Sequence, residues 1–263
     1  MTQHVTLANV DKSFRRNGAV SPVLTDVSFA IDPGEFVAIL GPSGCGKSTI
    51  LRLIAGLEQP SAGDVTIGGR PVTLTDDRCA VVFQEPRLLP WRSVAANVAL
   101  GARRRPDGQR ERVNRLLDEV GLQDVAKAWP HQLSGGMAQR VGLARGLAAE
   151  PDVLLLDEPF AALDALTRLK MQDLLLQIRE THSQTVILVT HDIDEALYLA
   201  DRILILGGCP AQVAVTHRVD LPRPRDRSHP ALGILRDDIL AHFGVGLVPG
   251  RQDTDCPQAL AAD

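Results

Sequence analysis

Nine consecutive residues carry the strongest chemical signal in this 263-residue sequence. Gly41-Pro42-Ser43-Gly44-Cys45-Gly46-Lys47-Ser48-Thr49 fit the pattern G-x-x-x-x-G-K-[ST], a phosphate-binding loop. The glycines let the backbone curl until successive N–H groups converge on phosphate oxygens. A helix starting at the end of the loop adds the positive end of its dipole. Lys47 would bring a full charge to the β- and γ-phosphates of ATP. The Ser48 hydroxyl is a hard oxygen ligand suited to Mg2+.

The other half of such a site should follow a second buried strand, and Val153-Leu154-Leu155-Leu156-Asp157 reads as one that ends in a carboxylate. Asp157 is expected to hold Mg2+ through a water. Glu158, one residue on, stands where a carboxylate can polarise the attacking water. Gln84 directly follows an apolar run, Cys79 to Phe83, and its amide oxygen could reach the metal and sense the γ-phosphate. His191 follows the run Thr185 to Thr190 in the same way. Either residue alone would be ordinary surface. At the carboxyl ends of core strands, where ligands of open α/β sheets bind, both become candidates for catalysis.

The elements that must position these residues are legible in outline. Phe36 to Leu40 is a short unbroken apolar run, suited to a strand buried on both faces. Ile50, Leu51, Leu53 and Ile54 repeat at helical spacing and stop at Gly56. Further buried strands are expected at 79–83, 153–156, 186–189 and 203–206, with helices over 165–180 and 192–200. Strands alternating with helices predict a mostly parallel α/β core. The first 35 residues read as β structure with a turn at Asn17-Gly18. Residues 86–150 read as an inserted helical subdomain, with Val113, Leu116, Leu117 and Val120 forming one stripe of a helix over 109–120. Arg103-Arg104-Arg105 could be a phosphate-binding patch, but next to the turn-rich Pro106 to Gly108 it reads as a solvated loop. The catalytic domain is expected over 1–221. Over 222–263 a Pro- and Arg-rich linker, a short helix over 231–242 and a frayed tail are expected.

Composition narrows the function classes. The chain is 44% hydrophobic and 23% charged, with a net charge of −4. That argues against wholesale disorder and against sequence-independent nucleic-acid binding. No apolar stretch approaches the roughly 18 residues needed to span a bilayer, and the N-terminus lacks a signal-peptide layout, so a cytoplasmic location is expected. Cys45, Cys79, Cys209 and Cys256 show no metal-ligand spacing and are expected to be reduced thiols.

Leu133-Ser134-Gly135-Gly136-Met137, leading into a helix over 138–149, resembles the signature motif of the ABC-transporter ATPases. The resemblance covers roughly residues 4 to 245. The order of motifs matches too: phosphate loop, Gln84, signature, Asp157-Glu158, Ala161-Ala162-Leu163-Asp164, then His191. It implies an α/β P-loop NTPase cassette with a mostly parallel β core, an N-terminal antiparallel β subdomain and an inserted α-helical subdomain. It also implies two chains stacked head to tail, with ATP on one phosphate loop covered by Ser134, Gly135 and Gly136 of the other chain. Asp164, in the segment just before the next helix, would then lie close to the nucleotide. Phe14 would stack on adenine, unless it is simply a half-buried strand residue. The family usually has Tyr there, and Phe keeps the π face. Met137 and Ala161 also depart from residues frequent in the family.

Leu88-Leu89-Pro90-Trp91 with Asn97-Val98, the stretch from Ala161 to Arg168, and Leu221 to Arg225 resemble the ATPases of nitrate, taurine and aliphatic sulfonate importers, the last most of all. The partners implied are two membrane permease subunits and, indirectly, a periplasmic or extracellular solute-binding protein. The location implied is the cytoplasmic face of the cell membrane. Trp91 would line the groove for a permease helix or belong to the core of the helical insert. The rivals are a non-transport ABC ATPase and an ordinary P-loop kinase or GTPase. The signature segment weighs against the last.

Overall fold

Strand β3 (Phe36–Leu40) is buried at all five positions, and its alternation sorts its side chains to two separate cores. Val37 and Ile39 join one apolar cluster and Phe36, Ala38 and Leu40 the other. A parallel strand sandwiched between two layers must be apolar on both faces, which is why it reads as a continuous run. The computed structural model describes residues 3–16, 19–74, 76–104 and 106–245.

The first core lies between the main sheet and an antiparallel one. β1 (Val5–Arg16), β2 (Ala19–Ile31), β4 (Ala62–Ile67) and β5 (Arg70–Pro71) pair in the order β2-β1-β4-β5. Helix α1 (Lys47–Ile54) fills the space beneath them with Ile50, Leu51, Leu53 and Ile54. The main sheet has the order β10-β9-β3-β8-β7-β6, from β6 (Cys79–Val82), β7 (Val153–Asp157), β8 (Thr185–Thr190), β9 (Arg202–Gly207) and β10 (Gln212–Arg218). All its pairings are parallel except β9 with β10. The second core lies on the other face, under α2 (Val94–Gly101), α3 (Gln109–Glu119), α4 (Gly135–Ala148), α5 (Ala165–His182), α6 (Ile193–Leu199) and α7 (Pro230–His242).

Several local expectations need correction. Helix α4 starts at Gly135 rather than Ala138, because the Ser134 hydroxyl accepts from the Met137 N–H at 3.3 Å and caps it. The signature glycines therefore form the first helical turn instead of preceding it. β4, β5, β10 and α2 did not stand out in the sequence. β10 escapes notice because alternate side chains along this edge strand are exposed, leaving no apolar run. The turn expected at Asn17-Gly18 lies outside the described residues. Cys45 and Cys79 are free thiols, but Cys209 is disulfide-bonded, contrary to the expectation of four reduced thiols. Chain spacing does not report which sulfurs meet in space. Cys256 lies outside the described residues.

The Pro- and Arg-rich stretch read as a linker is tied down by its arginines. Arg225 is only 5% exposed. Its guanidinium donates to the carbonyls of Leu197 (3.1 Å), Tyr198 (3.1 Å), Ala200 (2.6 Å), Val219 (2.9 Å) and Leu221 (3.3 Å). Three of these carbonyls belong to the end of α6, where four are left without helical partners. Burial lowers the Arg225 pKa to about 10, still well above neutrality, so the charge is kept. Arg223 donates to the Leu199 carbonyl, which Arg225 does not reach, and to Asp201. Asp201 in turn accepts from the backbone N–H of Phe36 at 2.9 Å, so the strap reaches the first residue of β3. Replacing Arg225 with Met leaves several buried carbonyls unpaired and should cost about 3 kcal/mol. The drop in melting temperature should be about 6–12 °C for a chain of this size. Calorimetry of the variant checks this, and a drop within experimental error would contradict it.

Candidate functional site

Four neighbouring strands of the main sheet end in register. Leu40 pairs with Thr190, Val189 with Asp157, and Leu156 with Val82. Adjacent strands lie about 4.8 Å apart. The residues that follow those ends therefore share one edge: Gly41 after β3, His191 after β8, Glu158 after β7 and Gln84 just past β6.

The loop after β3 curls back into α1. Gly46 caps that helix at φ 96°, a left-handed conformation. A Cβ there would stand 2.8 Å from Leu24 Cδ2, so both backbone and packing require glycine. Lys47 is buried, and its ammonium donates to the carbonyls of Gly41 and Pro42 at 2.8 Å each. Pro42, Ser43 and Gly44 are exposed, Cys45 and Thr49 half-buried. Burial pushes the Cys45 thiol up, against the opposing pull of Lys47.

The Ser48 hydroxyl donates to Asp157 Oδ1 at 2.9 Å, across 109 residues of chain. Burial raises the Asp157 pKa, with the Ser48 hydrogen bond opposing and the neighbouring Glu158 reinforcing the shift. A hydroxyl beside a partly desolvated carboxylate is the donor set Mg2+ takes when phosphates complete its shell. Among the described residues no group of three or more His, Cys, Asp or Glu side chains could hold a metal without such help. The residues fit the ion.

Glu158 has φ 44°, rare for a residue with a side chain. Its N–H donates to the Val189 carbonyl at 2.9 Å, which holds the turn. Its Oε2 lies 3.0 Å from His191 Nδ1. Two residues that follow different strands are thus brought into direct contact. Phe14 is half-buried, and the Lys12 ammonium sits 4.8 Å from its ring centroid. Asp164 caps α5, accepting from the Thr167 N–H at 3.0 Å, and these bonds hold its pKa down.

Gln84 is exposed, but its loop is not loose. Gln139 Nε2 donates to the Phe83 carbonyl at 3.1 Å, and Arg145 donates to Arg87 O at 2.9 Å. A Cβ on Gly142 would stand 3.2 Å from Pro86 Cβ. These three positions follow at helical spacing along α4, so one face of that helix carries the Gln84 loop while Ser134 and Gly135 form its exposed tip. Sequence reading missed this connection, and only the i, i+3, i+6 spacing of Gln139, Gly142 and Arg145 hinted at it. No hydrogen bond or ion pair among the described residues joins 134–137 to 41–49 of the same chain. Trp91 is 68% exposed, which rules out a place in the core. Its loop is clamped by buried Asn97, which accepts from Leu89 N at 2.8 Å and donates to the Arg92 carbonyl at 3.0 Å.

A glycine loop between strand and helix, its lysine, and a strand-terminal carboxylate on one sheet edge define a P-loop nucleoside triphosphatase fold. The chain belongs to the ABC transporter family, whose pattern it matches over residues 24–161. It is 55% identical over 225 residues to the aliphatic sulfonates import ATP-binding protein SsuB 1 of Xanthomonas axonopodis pv. citri, covering 83% of this chain and 89% of that protein. It is 53% identical over 222 residues to SsuB 2 of Burkholderia lata, covering 84% and 81%. Among solved structures it resembles the ATP-binding cassette MJ0796 in a dimeric post-hydrolysis state with ADP and Pi. That match has a TM-score of 0.73 at 35% identity, and covers 83% of this chain and all of that one. The fold is thus the α/β ABC ATPase cassette. No helix among the described residues is long and apolar enough to cross a membrane.

The raised Asp157 pKa has a measurable sign. A carboxyl whose folded pKa exceeds its unfolded value binds more protons in the native state, so stability falls as pH rises from about 4 through the raised value. At pH 7 the ionised, partly desolvated group destabilises the nucleotide-free chain. Replacing Asp157 with Asn keeps an acceptor for Ser48 and should raise the melting temperature at pH 7, by about 2–4 °C for each kcal/mol relieved. At a pH below the ordinary carboxylate value the two proteins should converge. A lower melting temperature for the variant at pH 7 would contradict the assignment.

Proposed function

We propose that this chain is the ATP-binding and ATP-hydrolysing subunit of an ABC import complex, and that the complex takes up aliphatic sulfonates. The observation that carries the reading is the convergence of Lys47, Ser48, Asp157, Glu158 and His191 on one sheet edge, with Glu158 and His191 in contact. The names of the relatives supply the transported solute. The solute itself would be met by other subunits.

The phosphates of ATP lie in the loop Gly41 to Thr49 and exchange with the Gly41 and Pro42 carbonyls for the Lys47 ammonium. Phe14 offers its free face to adenine. Ser48 and Asp157, with Gln84 within reach from the next loop, would hold Mg2+, which supplies charge neutralisation at the phosphates. Glu158 accepts the proton of the attacking water through the carboxylate oxygen that His191 does not hold, and His191 keeps the other oxygen in place. Glycine at 135, with open space where a Cβ would stand, leaves the tip of α4 open to an anion, while glycine at 136 lets that tip pack against Thr167. Because no hydrogen bond or ion pair among the described residues ties that tip to its own phosphate loop, we assign it to the nucleotide of a second copy, with Asp164 at the same interface. Each half of the homodimer then lacks a complete centre alone.

A groove of about 410 Å3 between the end of α1, β6 and the end of α2, lined by Leu57, Val81 and Leu100 together with Asp76, Asp77 and Arg103, suits an amphipathic helix of a permease subunit. Two such permeases would hold the homodimer at the cytoplasmic face of the membrane. A solute-binding protein would act from the far side. The acidic net charge agrees with the absence of a nucleic-acid partner in this scheme.

Lys47→Ala should lower ATP turnover of the purified chain by more than about tenfold. Glu158→Gln should do the same while still pairing with ATP, seen as a shift in size-exclusion chromatography. Ser134→Arg should bind ATP as a monomer and fail to pair. Turnover of Glu158→Gln near that of the unmodified chain would remove Glu158 from its role, and pairing by Ser134→Arg would remove the shared site. ATP hydrolysis by the reconstituted complex, stimulated by its binding protein loaded with an alkanesulfonate but not with nitrate or taurine, tests the solute.

A further inference from the structure

The His191 side chain is more than half exposed and has few neighbours of its own, yet it meets Glu158 at hydrogen-bond distance. Something must hold the turn that carries it. The Thr190 hydroxyl, at the last position of β8, donates to Glu195 Oε2 at 2.7 Å and accepts from the Asp192 N–H at 3.0 Å. Asp192 caps α6 through Oδ1, bonded to the N–H groups of Asp194 (2.9 Å) and Glu195 (3.1 Å). Glu195 is 4% exposed, and burial raises its pKa. Both carboxylates face one cation. Arg168 Nη1 donates to Asp192 Oδ2 at 3.2 Å, and its Nε lies 3.8 Å from Glu195 Oε1. A third contact runs from Nη2 to the Leu163 carbonyl at 3.4 Å.

Arg168 is in the first turn of α5, directly after the segment Ala161 to Asp164. It walls a recess of about 30 Å3 together with Glu158, Ala161, Thr190, His191 and Glu195. Its Nε is buried without a hydrogen-bond partner. A planar guanidinium can bridge two carboxylates set at an angle, whereas a lysine ammonium offers one point of charge.

We infer that Arg168 is a positioning residue for hydrolysis: by bridging Asp192 and Glu195 it fixes the turn that aims His191 at Glu158. The inference rests on the ATPase reading above. Arg168 acts through the turn, by way of Asp192 and Glu195. Its Nε, buried without a hydrogen-bond partner, stands 3.8 Å from Glu195 Oε1.

The test compares full-length Arg168→Gln, Arg168→Lys and Glu195→Gln with the unmodified chain. Arg168→Gln should lower kcat by about 10- to 100-fold, the scale of a misplacement near 1 Å, with KM for ATP within about twofold. Arg168→Lys should recover part of the loss. The His191 ring resonance, assigned by its absence in His191→Gln, should move towards that of a free histidine in Arg168→Gln. Should Arg168→Gln fail to fold, Arg168→Lys and Glu195→Gln carry the same readouts, each expected to lower kcat and shift the resonance. Turnover within about twofold of the unmodified chain in the folded variants, or lost turnover with an unmoved His191 resonance, overturns the inference. If the unmodified chain itself hydrolyses no ATP, the ATPase reading fails instead.

Discussion

The site depends on the register in which four parallel strands stop. Because Leu40, Thr190, Asp157 and Val82 end at nearly one level, the loops that leave them open onto a common edge. Each strand is locked to its neighbours by backbone hydrogen bonds and by side chains on both faces. A slip by one residue would exchange the two cores, so the alternation that separates Val37 and Ile39 from Phe36 and Leu40 also fixes the spacing of the candidate site groups at the strand ends. The chemistry at the edge is precise because the apolar sheet beneath it has one possible alignment.

Two helices extend this edge sideways. α4 starts at the signature turn and supports the Gln84 loop further along. α5 starts next to it, so close that a Cβ on Gly136 would stand 2.6 Å from Thr167 Cγ2. The next residue is Arg168, with its contacts to Asp192 and Glu195. Signature, Gln84 loop and His191 turn are therefore mechanically adjacent, although 84, 134 and 191 are far apart in the chain.

How much of this was legible in the sequence follows from the range of the forces involved. The phosphate loop, the carboxylates after β7 and the helix stripes are local patterns, each dictated by backbone geometry over a few residues. The order of those patterns sufficed for the fold class. The Glu158–His191 contact could be suspected, because both residues follow buried strands, but not measured. Arg168 and Glu195 looked like surface charges of two helices, and only the fold turns them into one network. Arg225 sat in a stretch whose prolines read as a connector, since nothing in Pro-Arg-Pro-Arg says that a helix end waits for it. The start of α4 was misplaced by three residues because glycines are poor helix formers, and the Ser134 cap outweighed that preference.

The buried guanidinium of Arg225 ties the stretch after β10 to the end of α6. Helix α6 has Asp192 at one tip, beside the histidine, and at the other a plug delivered from beyond the last strand of the sheet. Material that looks dispensable, past the final β-strand of the described residues, is thus structurally upstream of the candidate site. A cassette trimmed at Leu221 would keep every residue proposed to meet the nucleotide and still lose the anchor of the helix that follows His191.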